Sequence, residues 1–512
     1  MKKQLIYLLT ATLGLGACSD DFLNLAPPTT LSSATFFKTE EHFNQALNAS
    51  YEPLRQIAVS GVFMDEMRSD NSFFTYYPGD RGPYLSTEVI AQFLDDQNTN
   101  SFISNRYNAA YSGIARVNTI LSRINGITLP EASKNRILGE AHFLRAFYYY
   151  DLVQHFGGVP LQLEEVTSED GAFLPRSSVE EVYNQVIADL KVAIPLLPVA
   201  TTFPQSGRAT KGAGKMLLAY SYMSKPTREY ALAETELTDI TKMNYGLLTD
   251  YAAIYDPANK NHKESIFEIQ YLAGDVGQQG NFIWRFIPKM SNSDVILGIQ
   301  ANNYAGDNSG GWNVPTQEMV NSYEKGDLRL NASIGVIDGV LSAGDLFTAE
   351  GVKNVTDYKP TAGKTYYYFV RKYFHPPYNR EFNTGENWPV YRYAGALLLL
   401  AECLVEQGKA GQALPHLNEV RKRAGLPALT QATKDNVANE MRHELAFENH
   451  RWTDLIRTGK AIEVMTKHGE RMKSQYGFLL PTAFNVKPER LIYAIPFREM
   501  QINSQLTQNP GY

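Results

Sequence analysis

The chain is poor in cysteine, in tryptophan and in long apolar runs. Of its 512 residues only two are Cys and four are Trp. Cys18 and Cys403 leave no disulfide framework and no thiolate set for zinc. Cys403 stands in Leu-Ala-Glu-Cys-Leu, the setting of a small buried apolar residue. Positive charge is also short: 48 Lys and Arg against 54 Asp and Glu give a net −6. That balance argues against nucleic acid, whose phosphates reward a basic face. No stretch is long and apolar enough for a transmembrane helix. Catalytic signatures are missing as well. There is no Gly-x-Ser-x-Gly elbow. His443-Glu444 opens like a zinc-protease motif, but Phe447 stands where the second His belongs. Gly207 to Ala213 fails as a phosphate loop because Ala213 takes the place of Lys, and Lys211 and Lys215 read as solvated residues of a helix start. No Asp-rich calcium loop occurs. Neither a cofactor nor a metal is called for. Two distant carboxylates could still meet in space for glycoside hydrolysis, and the sequence leaves that open.

What is plentiful is aromatic: 31 Tyr and 25 Phe. The length allows one large core or several smaller ones. The clearest element runs from Thr128 to Leu161. Ile137, Ala141, Leu144, Tyr148, Leu152 and Phe156 form one apolar stripe at helical spacing, and Phe143, Phe147, Tyr150 and Val153 make the last half apolar on other faces. Such a helix, about 28 residues and roughly 42 Å long, must be enclosed by neighbours. Thr128 and Glu131 have capping-box spacing around Pro130. Gly157-Gly158 and Pro160 end it.

The chain begins with a basic Met1-Lys2-Lys3 and an apolar Leu5 to Leu15, too short to span a bilayer. Leu15-Gly16-Ala17-Cys18 resembles a bacterial lipobox, in which the Cys18 thiol accepts the lipid; the alternative is an ordinary cleavage site that happens to hold a Cys. Several acyl chains on one residue anchor a soluble body durably. Ser19-Asp20-Asp21 resembles the acidic signal that sends such lipoproteins to the outer leaflet of the outer membrane. Asn24 to Ser33 reads as an extended tether.

Beyond it, Glu40 to Leu54 and Asn105 to Ile124 have helical periodicity. From Arg68 to Gln97 the period is lost, and Asp70 to Gly82 reads as an aromatic-rich loop. A helix capped by Ser177 or Ser178 runs to about Pro195. Leu217-Leu218-Ala219 is followed twelve residues on by Ala231-Leu232, and Leu399-Leu400-Ala401 by Ala413-Leu414. Short polar turns separate the halves, so each reads as a helical hairpin of a degenerate, tetratricopeptide-like kind. Residues 273–366 are rich in Gly, Asn, Asp and Ser and read as an irregular insertion. It is flanked by alternating, strand-like Glu264 to Tyr271 and Tyr367 to Phe374. Glu440, Arg442, Glu444, Glu448, Arg451, Asp454 and Arg457 lie three to four apart and read as a structural ion-pair network. His142 and His155 read as packed or capping residues.

An ordered set of these segments resembles the SusD/RagB family of nutrient-binding surface lipoproteins of Bacteroidota. It comprises Gly139-Glu-Ala-His-Phe-Leu-Arg-Ala-Phe-Tyr-Tyr-Tyr-Asp-Leu152 with Phe156-Gly-Gly-Val-Pro-Leu161, Arg116-Val117-Asn118, Asp327-x-Arg329, Trp388 to Ala394, Asn418 to Leu426, Glu440 to Arg457 and the terminus Gln508-Asn-Pro-Gly-Tyr512. Asn439 and His450 depart from the usual residues. The resemblance implies a mainly α protein of irregular tetratricopeptide-like helical hairpins, with a small, loop-rich insertion carrying short β-strands. It implies no enzyme. It implies capture of oligosaccharides, or peptides as in some relatives, and delivery to a SusC-like TonB-dependent transporter, from a lipid-anchored position on the outer membrane. A helical adaptor and a hydrolase are the rival classes. The expected layout is a signal peptide over 1–17, lipidated Cys18 and tether over 18–33, an N-terminal helical region over 34–225 and a C-terminal region over 226–512.

Sugars offer apolar C–H faces and a rim of hydroxyls, which call for an aromatic plate edged by Asn, Asp or Arg. Aromatics in loops on a rigid scaffold suit that role better than aromatics on helices. The rule selects Trp284 and Arg285, Trp312 and Asn313, and Tyr76 and Tyr77 with Asp80 and Arg81. Trp388 and Trp452 are left to packing. On this reading Trp312→Ala should weaken glycan binding and leave the melting temperature nearly unchanged.

Overall fold

The structure is a computed structural model that describes residues 36–79, 81–98, 101–300, 310–342 and 346–512. Cys18, the signal-like segment, the tether and Asp80 lie outside these residues. The central element is helix α5, Glu131–Phe156; before it come α1 (Glu40–Tyr51), α2 (Pro53–Gly61), β1 (Ser72–Phe73), α3 (Gly82–Ala91) and α4 (Ser101–Arg123). The Phe and Tyr residues of α5, apart from half-buried Tyr150, are enclosed as its all-round apolarity requires. It packs on α1, on α4, on α6 (Val179–Leu196) and on α7 (Lys211–Ser224). Gly113 of α4 is what lets α5 come close: a Cβ there would stand 2.2 Å from the Tyr148 ring. The Tyr148 hydroxyl donates to the Ser50 carbonyl at 2.6 Å, so this buried ring leaves no polar atom unmet.

The ends of α5 show one success and one correction. Gly157 adopts φ +71°, the left-handed stop expected of it. At the other end Pro130 is the cap and no side chain caps the helix. Glu131 is therefore the first helical residue, not the third, and the expected box with Thr128 does not form. Two other expectations shift. The helix read over Glu40 to Leu54 breaks at Pro53, which has no N–H for the Ala49 carbonyl; Arg116 donates to that oxygen instead, at 2.5 Å. Within the stretch where the period is lost, residues 82–91 form α3, whose first turn holds Pro83. The Ser178 box is present as expected.

Both predicted hairpins form. α7 pairs with α8 (Tyr230–Thr241), α13 (Tyr393–Glu406) pairs with α14 (Ala410–Arg423), and α8 packs on α13. Cys403 on α13 is buried beside the Met223 sulfur, and burial pushes its thiol pKa up. Between the hairpins lies the irregular region. β2 (Ser265–Ile269) pairs antiparallel with β7 (Trp388–Arg392). Helix α9 (Phe282–Phe286), α10 (Ser293–Leu297), β3 (Val314–Pro315), α11 (Gln317–Ser322) and α12 (Arg329–Ser333) lead into a three-stranded antiparallel sheet, with β4 (Ile334–Ser342) between β5 (Leu346–Asn354) and β6 (Thr365–Val370). This sheet closes a smaller second core around Ile283, Trp284, Ile337, Phe347 and Phe369. The main core draws on residues from Phe43 to Leu506. The last helices are α15 (Lys434–Glu444), α16 (Arg451–Arg457), α17 (Ala461–Gln475) and α18 (Phe497–Ile502). No helix among the described residues is long and apolar enough to cross a membrane.

The acid–base run at the end of α15 is a buried ion-pair network, but its partners come mostly from other elements, and within the run Arg457 with Asp454 is the pair at helical spacing. Arg392 reaches Glu264 at 2.8 Å, Glu444 at 2.9 Å and Glu448 at 2.8 Å. Lys372 meets Glu448 at 2.6 Å. Arg329 holds Asp327 at 2.8 Å, Glu440 at 2.6 Å and Glu444 at 3.2 Å. Burial alone would raise the Glu448 carboxyl, but Arg392 and Lys372 outweigh it and hold the pKa at about 2. The stability this contributes is present above the unfolded value of 4.5 and is lost as pH falls through about 2. At pH 7, Glu448→Gln should lower the unfolding free energy by about 3 kcal/mol. Urea unfolding across pH 7 to 2 should show that gap closing below about pH 4.5; a constant gap would mean that the carboxylate is not held ionised.

Candidate functional site

The three loops chosen for their aromatics converge on one seam. β1 pairs with β3 through Ser72 with Pro315 and Phe73 with Val314. The Thr75 amide donates to the Gly311 carbonyl at 2.7 Å, and the Lys289 amide to the Tyr77 hydroxyl at 2.8 Å. The Gly311 and Trp312 amides donate to the carbonyls of Ile287 at 2.7 Å and Arg285 at 2.8 Å. Gly311 is required here: its φ is +80°, and a Cβ would stand 2.7 Å from the Tyr77 hydroxyl. The loops carry the chain from 72 to 79, from 281 to 290 and from 310 to 315, and their backbone bonds to one another make the seam.

Most of the selected rings face inward. Trp284 is 1 % exposed and sits in the second core, 5.3 Å from Tyr378 and 5.4 Å from Phe382. Trp312 is 8 % exposed and packs edge-on to Phe63 at 5.9 Å and against Phe74 at 6.4 Å. Asn313 is fully buried, with its side-chain oxygen accepting from the Ser72 hydroxyl. Tyr77 is buried under Lys289, whose ammonium lies 5.8 Å from the ring centre. Arg285, half-buried, lies over Phe63 at 5.6 Å and bonds Asn281 at 3.3 Å. As plates for a ligand arriving from solvent, Trp284, Trp312 and Tyr77 are therefore corrected to seam and core residues. Asn313 and Arg285 are placed as residues that tie the loops down. The physical reason is that an irregular loop with few backbone partners secures itself by burying its largest rings.

Two of the selected residues stay at the surface. The half-buried Tyr76 ring stacks on Phe478 at 3.9 Å with 10° between planes. The half-buried Arg81 guanidinium covers Tyr76 at 4.3 Å and pairs with Glu88. Sequence reasoning missed the other half of this outcrop. Tyr476 is 39 % exposed, lies 5.5 Å from Phe478 and stacks over Phe73 at 5.7 Å. A signal for it existed: Tyr476-Gly477-Phe478 places two rings about a Gly, just past a polar helix end. The outcrop offers the exposed Tyr476 ring and the edges of the Arg81–Tyr76–Phe478 stack, which suits a ligand with apolar faces and hydroxyl edges.

A second concavity, of about 510 Å³, lies elsewhere and is polar. Its groups are largely paired: Arg55 with the Gln270 carbonyl at 3.0 Å and with Gln278 at 3.1 Å, and Arg208 with Glu140 at 2.8 Å and Asn48 at 2.6 Å, although the Arg208 Nη2 has no partner. Tyr51, the aromatic residue on its wall, has Arg208 over its ring at 5.6 Å. The aromatic outcrop is the better place for stacking. No group of three or more His, Cys, Asp or Glu among the described residues is arranged to hold a metal. His142 pairs with Asp189 at 2.6 Å and His155 with Asp65 at 2.6 Å, as packed residues do.

Comparison with known proteins decides the family. Residues 263–512 match the model described as the SusD family, and residues 21–226 match one described as starch-binding associating with outer membrane. The chain belongs to the SusD/RagB family. A SusD-like protein of Formosa agariphila is 25 % identical, with 96 % of each chain covered. One of Bacteroides ovatus is 25 % identical over 89 % of this chain and 82 % of its own. Among solved structures, a laminarin-binding SusD-like protein superposes with TM-score 0.74 at 26 % identity, covering 93 % of this chain and all of its own. The surface glycan-binding protein A of Bacteroides fluxus does so with TM-score 0.75 at 25 % identity and the same coverage. The mainly α architecture with small sheets is thus that of SusD-like proteins.

The placement of the rings separates stability from binding. Trp312→Ala should lower the unfolding free energy by about 3–5 kcal/mol, as expected for an enclosed indole, reversing the expectation of an unchanged melting temperature. Tyr476→Ala, at the surface, should change it by less than about 1 kcal/mol. Thermal or urea unfolding of the two variants checks both.

Proposed function

We propose that this SusD/RagB protein captures oligosaccharides at the cell surface and passes them to a SusC-like TonB-dependent transporter, making and breaking no bond itself. The observation that carries the reading is the outcrop of Tyr76, Phe478 and Tyr476 with Arg81 beside it. Tyr76 on the seam stacks on Phe478, and Tyr476 stacks on Phe73, so these rings meet a ligand without first having to be ordered. The laminarin-binding relative makes that β-glucan the first ligand to test. Cys18 is the proposed lipid attachment point and the tether after it the link to the outer membrane, a reading supported by the lipobox-like run and by the outer-membrane wording of the family description.

Calorimetric titration with laminarin oligosaccharides, other glycan oligomers and peptides tests the ligand class. Tyr476→Ala and Tyr76→Ala should each weaken glycan binding about tenfold, the loss typical of an anchoring ring. Glycan affinity equal to that of the unaltered protein in both variants, or saturable binding by peptides alone, would overturn the reading. Cys18→Ala should move the protein from the membrane fraction to the soluble fraction and abolish co-purification with the transporter under conditions where the native protein retains it.

A further inference from the structure

A different cavity, of about 100 Å³, runs into the main core between α2, α5, α7, β7 and the turn from Glu448 to His450. Half-buried Tyr150, Gln154, Asn449, His450 and Thr453 stand on its outer wall. One water needs about 10–15 Å³ on this measure, so the space exceeds that of a single water several-fold.

The charged groups on its wall are all paired. Arg106 spans Asp65 at 2.7 Å and Asp151 at 2.6 Å. His155 bridges Asp65 at 2.6 Å and the Asp151 carbonyl at 2.7 Å. Glu448 is held by Arg392 and Lys372. The unmatched hydrogen-bonding capacity is neutral. The Tyr220 hydroxyl, on a residue 5 % exposed, has no partner, and neither does the Asn449 side-chain oxygen. Burial lowers the His450 pKa, which leaves that imidazole neutral at pH 7. Apolar wall comes from Phe147, Trp388 and Tyr391, and the Tyr220 ring stacks between Tyr391 at 5.6 Å and His450 at 6.2 Å.

The wall is also locally strained. Phe447 and Asn449 both take φ +65°, which non-glycine residues rarely adopt. The amides of both donate to Glu66, at 2.9 Å and 3.1 Å, and the Asn449 side-chain nitrogen donates to the Ala58 carbonyl at 3.0 Å. Gly61 makes room for that amide, since a Cβ there would stand 2.4 Å from it. The turn is thus over-determined in a conformation that places Asn449 on the cavity wall.

We propose that this cavity is a second binding site, for a neutral polyhydroxy molecule of monosaccharide size. A hydroxyl donor on Tyr220, an acceptor on Asn449 and flanking rings match hydroxyls around an apolar C–H face. A charged ligand is disfavoured, because every wall ion already has its counter-ion and an added charge would be buried unpaired. The site does not depend on glycan capture at the surface outcrop.

The test is saturation-transfer NMR on the full chain with D-glucose and, as the charged control, D-glucose 6-phosphate, together with a glucose-soaked crystal. Glucose should bind saturably and appear in the cavity, and the phosphate should not. Tyr220→Phe keeps the ring and removes the donor, so it should weaken glucose about fivefold, the value of one hydrogen bond, with near-ultraviolet circular dichroism unchanged. Tyr76→Ala and Tyr476→Ala should leave the glucose signal intact while weakening oligosaccharide binding at the surface. Ordered water alone in the soaked cavity, equal glucose affinity in Tyr220→Phe, or a signal lost only in the surface variants would overturn the proposal.

Discussion

Burying Glu444 and Glu448 without leaving a lone charge is the constraint on which the C-terminal half is built. Both are enclosed, and each is answered from several directions: Arg392 from β7, Lys372 from the segment after β6, Arg423 from α14 and Arg329 from α12. A buried carboxylate costs several kcal/mol unless its partners are in place. The network therefore forms only when these elements, far apart in sequence, arrive together. That requirement fixes β7 against the α15 end and sets the loop-rich region onto the helical scaffold.

Glu66 links this arrangement to the two places proposed to hold a ligand. Burial pushes its carboxyl up to about 7, against hydrogen bonds from Asn71 and from the amides of Phe447 and Asn449. On one side it therefore anchors the strained turn that walls the inner cavity. On the other, Asn71 donates to it at 2.8 Å and directly precedes β1, where the aromatic seam begins. Both proposed surfaces thus rest on polar contacts that the core has already over-determined.

Legibility followed periodicity. α5 and the two hairpins were readable because a buried helix writes its environment into 3.6-residue spacing, and the Gly157 stop into a residue type. The ion-pair run was readable as structural from its alternation of acids and bases, but its partners were not: Glu440 and Glu444 meet Arg329, and Arg442 meets Asp70 and Glu318, all from other elements. The start of α5 was misread by two residues, since Thr128 and Pro130 are both acceptable caps and only the path of the preceding chain selects between them. The three picked loops do meet in one seam. Which rings would be swallowed was not visible, because Trp284 and Tyr476 each lie beside a polar residue, Arg285 and Gln475, and differ in what lies across from them.

The amino-acid sequence by itself determined the family, the enclosed central helix, the hairpin scaffold and the presence of aromatic loops, since each depends on local spacing or on an ordered set of motifs. Only the tertiary structure decided that Trp284 and Trp312 close cores while Tyr76, Phe478 and Tyr476 face outward, and that Tyr220 and Asn449 meet at one cavity. Burial and cavity walls are properties of residues hundreds of positions apart, and no local pattern records which of them will touch.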